Sequence, residues 1–539
     1  MKRTRGILAA VSAGVMMASL AACGSDDGGG GSGEGNGGSG SGGGGEAWTL
    51  GTTESITAMD PAGSYDFGSW NMQYSIFQQL MSVPAGESEP VGDAAESCEY
   101  DNPTTVTCTL RDGLTFSNGN ELTSSDVKFS LERNINIADP NGSGVLLGQL
   151  ADEDGKARPD AIETPDDTTV TFNLNSADTT FVKLLSTATT SIVDEETFPA
   201  DKLLGDDQVV GSGPFKLSQY KEGEQVVLEA NENYDGDKTA QAQQVFVQFF
   251  KDPAPLKEAI GSGQVDVAWR TLSPTDLNDL EGNDNVEVIE GEGSEFRYWV
   301  FQLANPTVKD VAVRQAVAQV IDRDTIAQDA YDGTVTPAYS IVPPGFGGQK
   351  DSFEEKYGEP DVGKAKQILD EAGVQTPVDL TLGYTPTHYG PNLVDEANEL
   401  SSQLDESGLF NTEIEQAEWE QYQTLYKKNA YDLFALGWYP DILDADNYLT
   451  PFIRDGGFYA NNYSSDEVNK LLDEELAETD TAKREEIIGQ LQDIVAEDVP
   501  LIPSWNGKNV AVATPQMNGV EETLDPTYIF RLWEISKSS

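Results

Sequence analysis

The stretch that decides the fold reads YDLFALGWYPDILDADNYL and spans residues 431–449. Its apolar run LFAL, at residues 433–436, is too short for a helix and predicts a strand buried on both faces. Pro440 cannot continue a hydrogen-bonded ladder, and turn-forming residues follow it. We therefore expect Trp438 and Asp441 just past the carboxyl end of a sheet strand, the edge at which open α/β sheets bind ligands.

Two interpretations of this stretch stay open on its own residues. An aromatic ring and a carboxylate three residues apart at a sheet edge suit a cationic ligand with an apolar neighbour. The alternative is a turn that caps a core strand, with Trp438 as an ordinary packing residue. The rest of the chain has to distinguish them.

The charge of the chain excludes some classes of partner. The 539 residues include 92 acidic and 33 basic side chains, which gives a formal net charge of −59. Such a surface repels nucleic acid and anionic lipid and can attract cationic solutes. The spread of the acids along the whole chain favours a simpler explanation, solubility or adaptation to salty surroundings, over attraction of cationic solutes. The length allows two or three lobes with cores of their own.

The amino-terminal residues resemble the signal peptide and lipobox of bacterial lipoproteins. A basic start is followed by an apolar stretch at residues 6–20 and by the sequence LAAC, which ends at Cys23. The apolar stretch is shorter than the roughly 20 residues that span a bilayer. The resemblance implies a signal peptide at 1–22 and a lipidated Cys23 on a glycine-rich tether over 23–46. The protein would then lie on the outer, periplasmic side of the cell membrane.

The other two cysteines predict a disulfide. Cys98 and Cys108 flank a turn around Pro103, inside alternating segments that indicate a hairpin, so the two thiols would face each other. An exported protein permits such a bond. A metal site is a poor alternative, because His388 is the only histidine of the sequence.

Motifs in both halves of the chain resemble one family. They are LRDGLTF at 110–116, GSGPFK at 211–216, VAVRQA at 311–316, IDR at 321–323, GWYPD at 437–441 and VPLIP at 499–503. Over about residues 48–533 they resemble the oligopeptide/dipeptide (family 5) solute-binding proteins of ABC importers. The resemblance implies an α/β fold, a two-lobed type II periplasmic-binding-protein-like clamp with an additional inserted subdomain.

The resemblance also implies domain boundaries. Lobe I would be discontinuous and comprise residues 47–84, 209–295 and 504–539. The inserted subdomain, at 85–208, would lie beside it, and lobe II would span 296–503. The lobes would close on a ligand by hinge bending.

In the family, the aspartate that matches Asp441 holds the free amino terminus of a peptide. In dipeptide-binding members an arginine holds the ligand carboxylate, and Thr387 falls at its position here, which favours longer peptides or cargo without a carboxylate. An ordinary surface or core role fits His388 equally well. The predicted ligand-binding residues are Asp441, Trp438, Tyr439, Pro440, Thr387, His388, Tyr389, Tyr65 and Asp66.

These features predict a monomeric receptor that is not an enzyme. It would capture peptides and deliver them to ABC permease subunits, with no cofactor, metal or nucleic acid. Nickel, a metallophore or an oligosaccharide are alternative ligands for the same fold. A secreted hydrolase is the alternative from another class, and the sequence offers it neither a G-x-S-x-G nor an H-E-x-x-H motif.

Overall fold

The computed structural model describes residues 45–538 apart from Thr271, Thr387 and Pro391. The predicted signal peptide, Cys23 and most of the tether lie outside the described residues. None of the helices in the described part combines the length and the apolar character that a membrane span needs.

Strands and helices follow one another along the described chain. The strands are β1 (Trp48–Thr52), β2 (Met81–Ser82), β3 (Val91–Gly92), β4 (Ala95–Asn102), β5 (Thr105–Leu110), β6 (Ile162–Asp166), β7 (Thr169–Asn173), β8 (Phe215–Lys221), β9 (Gln225–Ala230), β10 (Gln244–Phe249), β11 (Val267–Trp269), β12 (Glu287–Gly291), β13 (Phe296–Phe301), β14 (Val335–Pro337), β15 (Val378–Tyr384), β16 (Phe410–Gln416), β17 (Leu433–Trp438), β18 (Leu501–Gly507), β19 (Asn509–Ala513), β20 (Met517–Asn518) and β21 (Ser536–Lys537). The α-helices are α1 (Phe67–Ile76), α2 (Ser124–Ile137), α3 (Phe181–Leu184), α4 (Pro253–Gly261), α5 (Pro274–Glu281), α6 (Pro306–Lys309), α7 (Val311–Val320), α8 (Arg323–Tyr331), α9 (Ser352–Tyr357), α10 (Val362–Ala372), α11 (Leu393–Glu406), α12 (Trp419–Tyr426), α13 (Thr450–Ile453), α14 (Asp466–Ala477) and α15 (Thr481–Asp498). Short 3-10 helices lie at Pro61–Gly63, Gly144–Leu150, Ala188–Thr190, Asp206–Gln208, Ala445–Tyr448 and Glu521–Thr523.

The first large sheet combines strands from distant parts of the sequence. Its seven strands run in the order β12-β19-β11-β1-β10-β9-β8. The central strand β1 is parallel to β10 and β11, where Leu50 pairs with Val247 and Val267. Its core also includes α1 and the tail around Tyr528. We call this sheet and the segments packed on its core the first-sheet unit.

The second large sheet contains the stretch at residues 431–449. Its six strands run in the order β14-β18-β13-β17-β15-β16. β17 lies between β13, its antiparallel neighbour, and β15, its parallel neighbour, and Leu433 and Phe434 are fully buried. This confirms the predicted buried strand. Helices α6 to α15 supply much of the remaining core, and together with the sheet they form the second-sheet unit.

A four-stranded sheet carries the predicted disulfide. Its order is β4-β5-β7-β6, and Cys98 pairs directly with Cys108 across β4 and β5, with their sulfur atoms bonded. The predicted disulfide is therefore confirmed. This part of the chain has a core of its own, and Lys183 reaches the second-sheet unit, where its Nζ lies 3.2 Å from Asp444 Oδ2.

The chain crosses between the two large sheets at two adjacent places. Residues 292–295 join β12 to β13, and Lys508 alone joins β18 to β19. The Gly507 N–H donates a 2.9 Å hydrogen bond to the Glu295 carbonyl oxygen, so the crossings are tied together. The lobe boundary predicted at 503/504 falls inside β18, which continues to Gly507 because its residues pair with β13 and β14. Two short neighbouring connections between packed units are typical of a hinge.

Candidate ligand-binding site

A large cavity lies between the first-sheet unit and the second-sheet unit. Its volume is about 1560 Å³, which exceeds the roughly 300 to 1,000 Å³ of most small-molecule sites. Tyr65 and Arg270 line it from the first-sheet unit, and Arg297, Trp438 and Asp441 line it from the second. A ligand in this cavity touches both units at once.

Asn447 fixes the turn that presents Asp441 to the cavity. Its Oδ1 accepts hydrogen bonds from Trp438 Nε1 at 3.0 Å and from the Asp441 backbone N–H at 2.9 Å. β17 ends at Trp438, and Pro440 stops the ladder as predicted. One amide side chain thus holds the tryptophan and the aspartate side by side on the cavity wall.

The carboxylate of Asp441 has hydrogen-bond partners but no cationic partner among the described residues. Its Oδ1 accepts a 2.7 Å hydrogen bond from the Tyr65 hydroxyl. Burial raises the pKa of Asp441 to about 6, and hydrogen bonds from Tyr65 and Asn447 oppose that rise. An enclosed carboxylate of this kind is stabilised by a cation that enters the cavity.

Tyr439 follows β17 of the second-sheet unit but packs against side chains of the first-sheet unit across the cavity. Its ring meets the rings of Phe67 and Tyr528 edge to face, each at a centroid distance of 5.1 Å. Arg270 places its Cζ 4.8 Å from the same ring. All three partners belong to the first-sheet unit, so Tyr439 connects the two sides of the cavity.

An aromatic cluster forms another part of the wall. The His388 ring stacks on Trp419 at a centroid distance of 3.9 Å, and Tyr389 contacts both rings. Burial, followed by the charge of Arg297, lowers the pKa of His388 to about 4. The imidazole is therefore neutral at pH 7 and presents a flat surface instead of a positive charge.

Seven of the nine predicted site residues line the cavity. They are Tyr65, Asp66, His388, Tyr389, Trp438, Tyr439 and Asp441. The Asp66 carboxylate also caps α1, because it accepts hydrogen bonds from the Ser69 backbone N–H at 2.8 Å and hydroxyl at 2.9 Å. Pro440 is buried outside the cavity lining, and Thr387 lies outside the described residues. The part that each residue plays in ligand binding stays a prediction.

Two cavity arginines and the bridging role of Asn447 were not predicted from the sequence. Arg297 carried a signal, since it is a lone charge in the otherwise apolar and aromatic strand β13 and is only 5% exposed. Arg270 follows β11 and carried no comparable signal. Its place in the cavity depends on how the first-sheet unit faces the second.

Metal-binding side chains do not gather in the described part of the chain. Histidine, cysteine, aspartate and glutamate form no group of three or more there that could hold a metal ion.

Comparison with known proteins assigns the chain to a family. The sequence model of one protein family, described as the bacterial extracellular solute-binding proteins, family 5 (middle region), matches residues 89–460. The oligopeptide-binding protein OppA of Bacillus subtilis is 26% identical over 488 residues, which are 86% of this chain and 88% of that protein. Heme-binding protein A of Haemophilus influenzae is 26% identical over 495 residues, which are 87% of this chain and 88% of that protein.

A solved structure shares the fold. The periplasmic binding protein DppA of Helicobacter pylori, in complex with the peptide STSA, matches with a TM-score of 0.74 and 23% sequence identity. The match covers 92% of this chain and 98% of the DppA chain. The likeness confirms the α/β type II clamp. Family members bind solutes for transport and are not enzymes, which confirms that prediction and removes the hydrolase alternative. The chain belongs to the bacterial extracellular solute-binding proteins of family 5.

Proposed function

We propose that the protein captures peptides in this cavity and delivers them to the permease subunits of an ABC importer. The amino terminus of the peptide binds Asp441, and the peptide lies between a discontinuous lobe I and lobe II, with the boundaries given above except that lobe II continues to Gly507, the end of β18. The protein acts as a monomer, held on the outer face of the cell membrane by a lipid on Cys23.

The observation that carries this proposal is the environment of Asp441. Its carboxylate lines a cavity shared by both units and is hydrogen-bonded by the neutral side chains of Tyr65 and Asn447. An ammonium group supplies the missing positive charge together with N–H donors. OppA, by its name, and DppA, in its complex with STSA, bind peptides, and these relatives support the same ligand class.

Calorimetric titration with synthetic pools of di- to pentapeptides tests the proposal. We expect one peptide per protein, and N-acetylated pools should bind at least about 30-fold more weakly because they lack the charge that pairs with Asp441. Asp441→Asn should weaken binding of the free peptides by a similar factor. Equal affinity for free and acetylated peptides would rule out the amine anchor, and the absence of binding by every pool would rule out peptides.

The aromatic walls favour an oligosaccharide as a second candidate. Trp419, Trp438 and Phe458 line the cavity, and Phe458 is 48% exposed. Aromatic faces beside polar groups are typical of pockets for ligands with flat apolar surfaces. A panel of oligosaccharides in the same calorimeter separates the two candidates, because binding of a neutral sugar does not need the charge of Asp441.

The lipid anchor is tested in a producing bacterium with Cys23→Ala. The unaltered protein should take up an alkyne-tagged fatty acid and sediment with membranes, whereas the variant should do neither. An unaltered protein without label would exclude the anchor. Delivery is tested by uptake of the best-binding peptide in labelled form, which should fall when the gene for this protein is deleted.

A further inference from the structure

The loop that follows Asp441 contacts the four-stranded unit, by which we mean the sheet β4-β5-β7-β6 and the segments packed on its core. Ile442, the next residue, packs against the apolar core of that unit. Lys183, in α3 of the same unit, places its Nζ 3.1 Å from the Leu443 carbonyl oxygen and 3.2 Å from Asp444 Oδ2. The residues directly after Asp441 are therefore held by a part of the chain outside the second-sheet unit.

The ammonium group of Lys183 has an acceptor for each of its three N–H bonds. Besides Leu443 and Asp444, it meets Glu89 of its own unit, whose Oε1 lies 2.9 Å from Nζ. The side chain of Lys183 is 17% exposed and that of Asp444 is 2% exposed, so solvent screens this pair less than a pair on the open surface. Lys183 is thus a specific contact between the two units.

A backbone hydrogen bond joins the same two units at a second point. The Thr179 N–H, which precedes α3, donates a 2.9 Å hydrogen bond to the carbonyl oxygen of Leu476 in α14. The neighbouring Asp178 is fixed within the four-stranded unit, because its carbonyl oxygen accepts a 2.8 Å hydrogen bond from the Tyr100 hydroxyl of β4. The Thr179 amide therefore reports directly whether the two units are docked.

The four-stranded unit is also fastened to the first-sheet unit. Arg133 of α2 donates to both carboxylate oxygens of Asp60, at 2.8 and 2.6 Å, and Lys238 Nζ lies 2.7 Å from Asp93 Oδ2. The contacts of Lys183 therefore connect units on the two sides of the hinge. Movement of the second-sheet unit about that hinge has to displace the loop after Asp441 or break these contacts.

We propose that Lys183 is a positioning residue for ligand binding, because it docks the four-stranded unit onto residues 442–444 and thereby holds Asp441 where it meets the ligand. The inference rests on the proposed function, since it takes Asp441 as the ligand anchor. Asn447 holds the loop from within the second-sheet unit, through the Asp441 backbone N–H, and Lys183 holds it from outside. A contact made in only one arrangement of the units raises the fraction of the protein that is ready to bind.

The first test is amide hydrogen exchange of the ligand-free protein, resolved to single residues, in Lys183→Met. The substitution removes the charge and keeps the apolar stem, and Asp444 stays paired with both arms of Arg484, at 2.9 and 2.6 Å. The amides of Thr179 and Asp441 should exchange at least about tenfold faster than in the unaltered protein. The Leu50 amide, in β1, should keep its rate, because the variant does not alter the first-sheet unit.

Lys128→Met is the matched control, because Lys128 lies in α2 and pairs with Glu132 of the same helix, with Nζ 2.6 Å from Oε1. It should leave the exchange of the Thr179 and Asp441 amides unchanged. If Lys183→Met fails to fold, Ile442→Ala takes its place. That variant removes the apolar contact, leaves every charge in position and should accelerate the same two amides.

The second test is a double-mutant cycle with the tightest binder from the di- to pentapeptide pools. Lys183→Met should weaken binding at least about tenfold in the unaltered protein but less than about twofold in Asp441→Asn, because the anchor that Lys183 positions is already lost there. A loss of folding stability alone would weaken binding equally in both backgrounds. Equal factors therefore overturn the inference.

The outcomes separate this inference from the proposed function. Unchanged exchange of the Thr179 and Asp441 amides in Lys183→Met overturns the inference, whether or not peptides bind. Faster exchange at Thr179 alone shows docking without positioning and overturns it as well. If no peptide pool binds, the proposed function fails, whereas faster exchange of both amides still supports the positioning of Asp441 by Lys183.

Discussion

The hydroxyl of Tyr65 donates a 2.7 Å hydrogen bond to Oδ1 of Asp441 and thereby joins the two sides of the ligand cavity. Tyr65 stacks on Trp70 of α1 in the first-sheet unit, whereas Asp441 follows β17 in the second. The tyrosine donates to the same carboxylate that the proposed ligand ammonium would use. Ligand capture and this contact across the cavity are therefore linked through one side chain.

Tyr65→Phe should raise the pKa of Asp441 above its present value of about 6, because the hydrogen bond from Tyr65 opposes the effect of burial. The measurement is an NMR titration of the aspartate carboxyl carbons, assigned with Asp441→Asn. Tyr220→Phe, in β8, is the matched control and should leave the midpoint unchanged. A midpoint that stays the same in Tyr65→Phe would contradict the role given to this hydrogen bond.

Asp441→Asn should stabilise the ligand-free protein at alkaline pH. The pKa of Asp441, about 6 in the folded protein, lies above the ordinary value of about 3.9. The carboxyl group therefore favours folding when it is protonated, and that contribution is lost as the pH rises through 6. Differential scanning calorimetry should show a higher midpoint for the variant at pH 8 and a smaller difference at pH 4.5. The exposed Asp455→Asn serves as the control, and an equal shift at both pH values would refute the prediction.

Peptide affinity should decrease in acid with the titration of Asp441. Below pH 6 the carboxyl group is increasingly protonated and loses its attraction for an ammonium, so the dissociation constant should rise by about tenfold for each further pH unit. Calorimetric titrations between pH 4.5 and 8 measure the profile. Any binding that remains in Asp441→Asn should be flat across this range, and a flat profile in the unaltered protein would exclude Asp441 as the anchor.

Removal of the disulfide should lower stability but leave the cavity intact. Cys98 and Cys108 lie 10 positions apart in the sequence, and closure of so short a loop contributes about 2 to 3 kcal/mol to the free energy of unfolding. Urea denaturation of Cys98→Ser/Cys108→Ser measures the loss. The unaltered protein in dithiothreitol is the control and should match the variant. Equal stability of the oxidised protein and the double variant would show that the bond contributes nothing.

Arg133→Met should destabilise the protein by about 3 to 5 kcal/mol, because it leaves Asp60 buried without its cation. Arg133 donates to both carboxylate oxygens of Asp60, at 2.8 and 2.6 Å, and neither side chain is appreciably exposed. Chemical denaturation should show that Asp60→Asn recovers part of the loss when it is added to Arg133→Met. Simple additivity of the two substitutions would argue against a coupled pair.

Residues of the stretch at 431–449 show how far the sequence predicts the fold and the site. The buried strand at Leu433 and Phe434 and the chain break at Pro440 follow from apolar content and backbone restrictions, which act over a few residues. The bond between Cys98 and Cys108 follows in the same way from a tight hairpin. In the sequence, Asn447 is one more turn-forming residue, because no pattern in the neighbouring residues shows that its side chain bridges Trp438 and Asp441.

The sequence by itself determined the local elements and, through ordered motifs, the family and the presence of Asp441 at a strand end. Only the tertiary structure decided what meets that carboxylate and which arginines approach the neighbouring Tyr439. Tyr65 and Asp441 are 376 positions apart, and Arg270 and Arg297 approach Tyr439 from different units. The physical reason is that strands and turns are set by neighbouring residues, whereas contacts across a cavity depend on how two separately built units face each other.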